Sequence, residues 1–304
     1  MKVLLPVEYS DASQNVIAEA VSRPWPSGTL FCVQNTLNIW EYDDFPELLQ
    51  DAKKEMQKVV ASATYELRST GHEVITELEA GVPKKAIPEY AKQWGADLIM
   101  VGSRRSNAVS RFLVGSVAQA VLRAASCSVE IVRSESPGFP KPTSGMKILI
   151  GTDGSCFSER AIRDVVKRPW PPESVAKIIS VRENVVPSNE STVAFGPLYP
   201  ADLMDQIVED ELHRAENAYA QALEILSSSA LKICESPVLF GDPRPLILDE
   251  AKSWGAHLVV LGSHGRRGFD HLLLGSVSEA VAMHAHCSVE VVRSSKDEKP
   301  ESRS

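Results

Sequence analysis

Concentrated positive charge is missing from this sequence. Lys and Arg number 32 against 40 Asp and Glu in 304 residues, a formal net charge of −8. That excludes a protein that depends on nucleic-acid phosphates, whose affinity rests on clustered cationic side chains. Cysteine is scarce: Cys32, Cys127, Cys156, Cys234 and Cys287 are odd in number, scattered, and form no CxxC pair. A disulfide framework is therefore not expected, and the usage fits reduced thiols in a cytosolic protein. No apolar run approaches the roughly 18 residues of a membrane helix. The opening MKVLLPVEYS meets Pro6 and Glu8 too early for a secretory signal. The expectation is a cytoplasmic protein with neither nucleic acid nor membrane as partner. Disorder is excluded for the body of the chain, because 43% of its residues are hydrophobic.

What is present is a repeat. The segment from Ala91 to Ser134 aligns without gaps on Ala251 to Ser294, and about half of the aligned positions are identical. KVLLPVEYS from Lys2 aligns with KILIGTDGS from Lys147, and RPWP recurs at Arg23 and Arg168. The offset grows from 145 to 160, so the second copy carries 15 extra residues, placed near Pro187 to Pro200. A period this long means two whole domains rather than a solenoid. The expected organisation is a first domain over 1–134, a linker over 135–145, a second domain over 146–294 and a polar, disordered tail over 295–304. SESPGFPKPTSG supplies the Pro, Gly and Ser of the linker.

Each copy alternates short apolar runs with amphipathic stretches. KVLLPV and KILIGT end in turn residues, as buried parallel strands do. Ser10 and Ser155 are placed to cap the helices that run to the RPWP segments. TLFCVQ and KIISVR predict second strands, and long helices follow around Glu47–Ser69 and Ala201–Ser228. HEVITELEAG and KICESPVLFG predict third strands. Pro83 and Pro245 suit the first turn of the next helices, and Pro88 is expected to shorten the first of these. DLIMVG and HLVVLG give fourth strands, GSVAQAVLRAA and GSVSEAVAMHA fourth helices, SVEIVRS and SVEVVRS fifth strands. Strict alternation predicts an α/β chain with a doubly wound parallel sheet in each half.

Ligands of such sheets bind beyond the carboxyl ends of the strands, where strand order reverses. After the fourth strand of the second copy the chain reads Gly262-x2-Gly265-x9-Gly275-Ser276. Glycines allow positive φ and close backbone approach, and a helix N-terminus offers free N–H groups to an anion. Spacing alone defines an anion site and no more. That motif, together with Asp153 in KILIGTDGS, resembles the universal stress protein family, and specifically its ATP-binding branch. Both copies together cover nearly the whole chain. The resemblance implies two tandem Rossmann-like domains of the adenine nucleotide alpha hydrolase-like type, each a five-stranded parallel sheet with helices on both faces. It also implies pairing of the halves through their fifth strands. The cofactor it implies is ATP, with or without Mg2+. Asp153 would lie near the ribose or adenine, and the Val181 backbone on the adenine edge. Gly262, His264, Gly265, Gly275 and Ser276 would line the ribose and triphosphate, with Gly151, Thr152 and Val277 completing the set.

The first copy departs from that pattern. Pro6-Val7-Glu8 replaces Gly151-Thr152-Asp153 and Arg104-Arg105 replaces His264-Gly265, while Gly102, Gly115 and Ser116 persist. The first half is expected to serve as a dimer-like partner, against a rival reading in which Arg105 holds another anion. Arg266 and Arg267 are equally suited to a γ-phosphate and to solvent. Other candidates have structural readings: packing for Trp94 and Trp254, capping for Cys156, packing rather than a metal site for His284, His286 and Cys287. The resulting expectation is a nucleotide-responsive regulator of stress tolerance with an unknown protein partner and scope for homo-oligomers. Its rivals are a slow ATP hydrolase or nucleotidyl transferase, for which His264 and Asp270 are the nearby acid–base groups, and an interaction module in which nucleotide is incidental. No Walker lysine is present.

Overall fold

The computed structural model describes residues 1–42, 46–103, 114–133, 144–183, 201–266 and 274–293. Residues 135–143 of the expected linker, the added loop and the polar tail lie outside these residues, as do Arg104, Arg105, Arg267 and Asp270. The first half runs β1 (Lys2–Pro6), α1 (Asp11–Ser22), β2 (Leu30–Leu37), α2 (Pro46–Ser69), β3 (Glu73–Ala80), α3 (Pro83–Trp94), β4 (Leu98–Gly102), α4 (Ser116–Ala124) and β5 (Ser128–Val132). The second runs β6 (Lys147–Thr152), α5 (Cys156–Lys167), β7 (Val175–Arg182), α6 (Ala201–Leu226), β8 (Lys232–Cys234), β9 (Leu239–Phe240), α7 (Pro243–Trp254), β10 (Leu258–Gly262), α8 (Ser276–His284) and β11 (Ser288–Val292).

Buried apolar strands and capped helices explain these elements. β1, β4, β6 and β10 are buried over nearly their whole length, as strands covered on both faces must be. The Ser10 and Ser155 hydroxyls accept the N–H groups of Ser13 and Ser158 at 3.3 and 3.2 Å. Such a cap stabilises a helix by about 1 kcal/mol. Pro88 does not shorten α3, which has the same 12 residues as α7. It sits in the second turn, where it costs one backbone bond while the residue itself is buried. In α7 the first helical position belongs to Pro243, with Pro245 two residues further on, and Asp242 caps it through the Arg244 N–H at 2.9 Å. The third strand of the second half is broken into β8 and β9, both paired with β7. Pro237 between them has no N–H to give a ladder, and the Ser236 N–H turns instead to the Tyr219 hydroxyl at 3.0 Å.

All the strands join one sheet in the order β3-β2-β1-β4-β5-β11-β10-β6-β7-β8, with β9 on β7. Every pairing is parallel except β5 with β11, where the halves meet antiparallel with Glu130 opposite Glu290. One core cluster is continuous through that junction, from Leu4 and Ile131 to Leu149 and Val289. On the other face each half keeps its own core.

The junction also carries buried charge. The Arg23 guanidinium donates to both oxygens of Glu130 at 2.8 and 2.6 Å. Arg168 does the same to Glu290 at 2.6 and 2.5 Å. Both arginines stand at the C-caps of α1 and α5, so each RPWP segment reaches the SVE of its own half. Arg133 then crosses to the carbonyls of Ala282 and Met283 at the end of α8, and Arg293 crosses to Leu122 at the end of α4. A cation at a helix C-terminus meets the partial negative charge there, so these contacts bind one half to the other.

Candidate nucleotide site

Strand order reverses between β6 and β10, which opens a crevice at their carboxyl ends. A cavity of about 770 Å³ occupies it, within the range of small-molecule sites. Gly151, Thr152, Asp153, Val181, Gly262, His264, Gly265, Gly275, Ser276 and Val277 all line it. Ile179, Ile247 and Leu261 supply an apolar floor, and Glu183, Asp242, Arg244 and Arg266 its polar rim.

α8 begins at the cavity without a side-chain cap, and its first internal bond runs from the Glu279 N–H to the Gly275 carbonyl at 2.9 Å. The N–H groups of Ser276, Val277 and Ser278 therefore precede the internal ladder, the arrangement that receives anions at helix ends. Ser276 is exposed at the first turn, while Ser278 turns inward and donates to the Gly262 carbonyl at 2.6 Å. The glycines leave space and do not supply positive φ. Gly262, Gly265 and Gly275 all lie outside the left-handed region. A Cβ on Gly262 would stand 2.6 Å from the Phe157 carbonyl carbon, and one on Gly275 would stand 3.1 Å from the Ser263 oxygen. Gly151 makes room for the Leu261 side chain, and the first half has Pro6 and Val101 at these two positions. Positive φ matters at Gly154, at +75°, in the turn that follows Asp153.

The side chains around the crevice are tied into its walls. Thr152 donates its hydroxyl proton to Ser158 at 3.2 Å and accepts the Gly154 N–H at 3.3 Å. His264 is buried, with Nδ1 3.0 Å from the Ser263 hydroxyl and its ring 4.9 Å from that of Phe157. The Asp153 carboxylate accepts the Ser155 and Arg266 N–H groups. On the rim, the Arg244 guanidinium beside Asp242 holds that carboxyl below its usual range. Arg266 donates to Glu211 on α6 at 3.1 Å, and Arg214 takes the other oxygen at 2.6 Å. Burial alone would raise the Glu211 carboxyl, but the two guanidinium groups outweigh it and hold it low.

Ile247, Leu261, Glu211 and the Asp242–Arg244 pair escaped the sequence reading. Of these only Asp242 left a signal, an Asp directly before a helix-opening Pro where the first half has Val82. Cys156 is exposed beside the Ser155 cap, and Trp94 and Trp254 pack against the shared core. His284, His286 and Cys287 belong to no cluster of three metal-ligating side chains among the described residues. Burial pushes the Cys127 and Cys287 thiols up to about 12. No described helix is long and apolar enough to cross a membrane.

A tandem α/β chain with an uncapped helix N-terminus and glycine-lined loops at its switch point has close counterparts. The model of the Universal stress protein family matches residues 1–133 and again 146–293. Universal stress protein Rv2623 of Mycobacterium tuberculosis is 30% identical over 295 residues, covering 96% of this chain and 88% of its own. Universal stress protein Rv2005c of the same organism is 30% identical over 262 residues, covering 86% and 80%. Among solved structures, a universal stress protein from Archaeoglobus fulgidus aligns at a TM-score of 0.63 and 21% identity, covering 98% of this chain and 97% of that one. The chain belongs to the universal stress protein family.

Proposed function

We propose that this chain binds one ATP in the crevice of its second half and acts as a nucleotide-responsive regulator of stress tolerance. The uncapped start of α8, facing a cavity lined by Gly265 and Gly275, carries the reading. Three N–H donors and the positive end of a helix suit phosphates, and Arg266 adds a cation. Ile179, Val181, Ile247 and Leu261 offer the flat apolar surface an adenine ring needs. When bound, Mg2+ would neutralise phosphate charge.

Binding suits these residues better than turnover. Both oxygens of Asp153 already accept backbone N–H groups, and His264 is buried against Phe157. Among the described residues no lysine lines the cavity. The decisive experiment is to denature purified protein, identify the nucleotide released, and titrate ATP into the stripped chain by calorimetry. The reading expects an adenine nucleotide and a stoichiometry near one. Absence of any nucleotide binding would remove it, and a stoichiometry near two would make Arg105 a ligand. Thin-layer assay of labelled ATP should show no turnover above background, and affinity capture of partners should differ with and without ATP.

A further inference from the structure

Arg266 borders the crevice but is fastened to a helix beside it. Its guanidinium donates to Glu211 Oε2 on α6 at 3.1 Å. The loop that carries it leaves β10 on the side where α8 begins. Arg244, the other arginine that lines the cavity, stands at the start of α7 and is taken by Asp242 at 2.6 Å. Glu211 has a second partner. Arg214 donates to its Oε1 at 2.6 Å, the shorter of the two bonds, from one turn further along the same helix. The Glu211 side chain is only 7% exposed, so a bare carboxylate there would be costly. Arg214 stays with it if Arg266 leaves, so the arginine that borders the crevice is the one that can be given up.

The same bond holds the front of α6. Glu211 is the first buried residue of that helix among the described side chains, and those described before it are exposed or half-buried. Beyond it Ala215, Ala218, Ala222 and Leu226 are buried, and the Ser180 hydroxyl donates to the Ala215 carbonyl at 2.9 Å. The Arg214 bond stays within the helix, so it is Arg266 that joins residues 201–210 to the crevice loop. At the matching place the first half has Ser106.

We propose that Arg266 reads the distal phosphates of a bound nucleotide by exchanging Glu211 for them, and that the exchange releases residues 201–210 of α6 from the crevice. The inference rests on the crevice being a nucleotide site. A guanidinium takes two phosphate oxygens at once, which surpasses a single bond to one carboxylate oxygen. The N–H groups at the start of α8 suffice for one phosphate, so a triphosphate brings oxygens to spare and a monophosphate does not. ATP and AMP are then distinguished twice, by affinity and by the state of α6. Since binding and release are linked, release in advance must tighten binding.

The test titrates ATP and AMP into the full chain and its variants by calorimetry, and follows amide hydrogen exchange of residues 201–210 with and without each nucleotide. Arg266→Ala keeps its N–H on Asp153 and should lower the ratio of ATP to AMP affinity about tenfold. Arg266→Lys keeps the charge without the fork and should recover part of that ratio. Glu211→Gln should move the ratio the other way, by about threefold in favour of ATP. An ion pair that only holds the wall in shape would instead give equal losses for both nucleotides in both variants. In the parent, ATP should accelerate exchange of residues 201–210 about tenfold and AMP should not. In Glu211→Gln that exchange should be fast before any nucleotide is added. An unchanged ratio in Arg266→Ala, a lowered ratio in Glu211→Gln, or exchange that ATP leaves as AMP does would overturn the proposal. If Glu211→Gln unfolds, the Arg266 variants and exchange in the parent decide it. A parent that binds neither nucleotide removes the functional reading and the proposal with it, whereas a parent that binds both, with the ratio unmoved by Arg266→Ala, removes the proposal alone.

Discussion

Replacing Glu290 by Ala tests the account of the junction most severely. Its carboxylate is 1% exposed and holds the Arg168 guanidinium through two bonds at 2.6 and 2.5 Å. Removing it takes the bidentate partner from a largely buried guanidinium and leaves Asp164 and Glu130 as its nearby charges; loss of such a partner typically costs about 3–5 kcal/mol. One effect works against that cost, because Glu290 stands directly opposite Glu130 in the ladder. Their mutual repulsion disappears with the substitution, so the low end, about 3 kcal/mol, is expected. Arg168→Met should cost more, near 5 kcal/mol, since it leaves Glu290 unpaired beside a second buried carboxylate. Replacing both partners together, as Arg168→Met with Glu290→Leu, should cost far less than the sum, because no charge is then stranded. Thermal unfolding reads these as a fall in Tm of about 6–10 °C for either single variant, at roughly 2 °C per kcal/mol in a chain of this size. Additive losses in the double variant, or a fall below about 2 °C for Glu290→Ala, would refute the claim that these pairs are coupled buried charges.

Gly275→Val should abolish ATP binding in calorimetry, because its Cβ begins 3.1 Å from the Ser263 oxygen and its methyls enter the crevice. Its φ of −64° is open to any residue, so Tm should fall modestly, by a strain of about 1–3 kcal/mol. Gly262→Ala should instead be a stability variant, losing several degrees of Tm as the new Cβ meets the Phe157 carbonyl at 2.6 Å. His286 supplies a pH dependence. Burial, then the nearby Arg133 charge, lowers its imidazole from 6.5 to about 4. The unfolded chain therefore binds the extra proton between these values, and stability falls as pH drops through that window. Comparing Tm at pH 7 and pH 5 should show the loss, and His286→Ser, the residue at the matching position of the first half, should reduce it.

The repeat, the alternation of elements and the loop spacing were legible because each is written in consecutive residues. A parallel strand buried on both faces is a short apolar run, as in KILIGT and HLVVLG, and a capped helix starts at a serine such as Ser155. The ten residues named from the sequence line one cavity for the same reason: they all sit at strand ends and helix starts of a fold whose switch point has a fixed place. Other features depended on which segments meet. Pro88 was expected to shorten its helix, but burial of the residue offsets one lost bond, and that burial belongs to the packing. Gly262, Gly265 and Gly275 suggested positive φ as well as close approach, and only the close approach is used: the Phe157 carbonyl, the Asp153 carboxylate and the Ser263 oxygen lie where their Cβ atoms would point. RPWP and SVE were both visible as repeats, and nothing in either says that Arg23 reaches Glu130, 107 residues away. Sequence alone determined most of the elements and the ten crevice residues at strand ends and helix starts, because periodicity and capping act between neighbours. Tertiary structure decided the antiparallel joining of β5 to β11 and the buried arginine pairs, because these contacts form only where distant segments are brought together out of water.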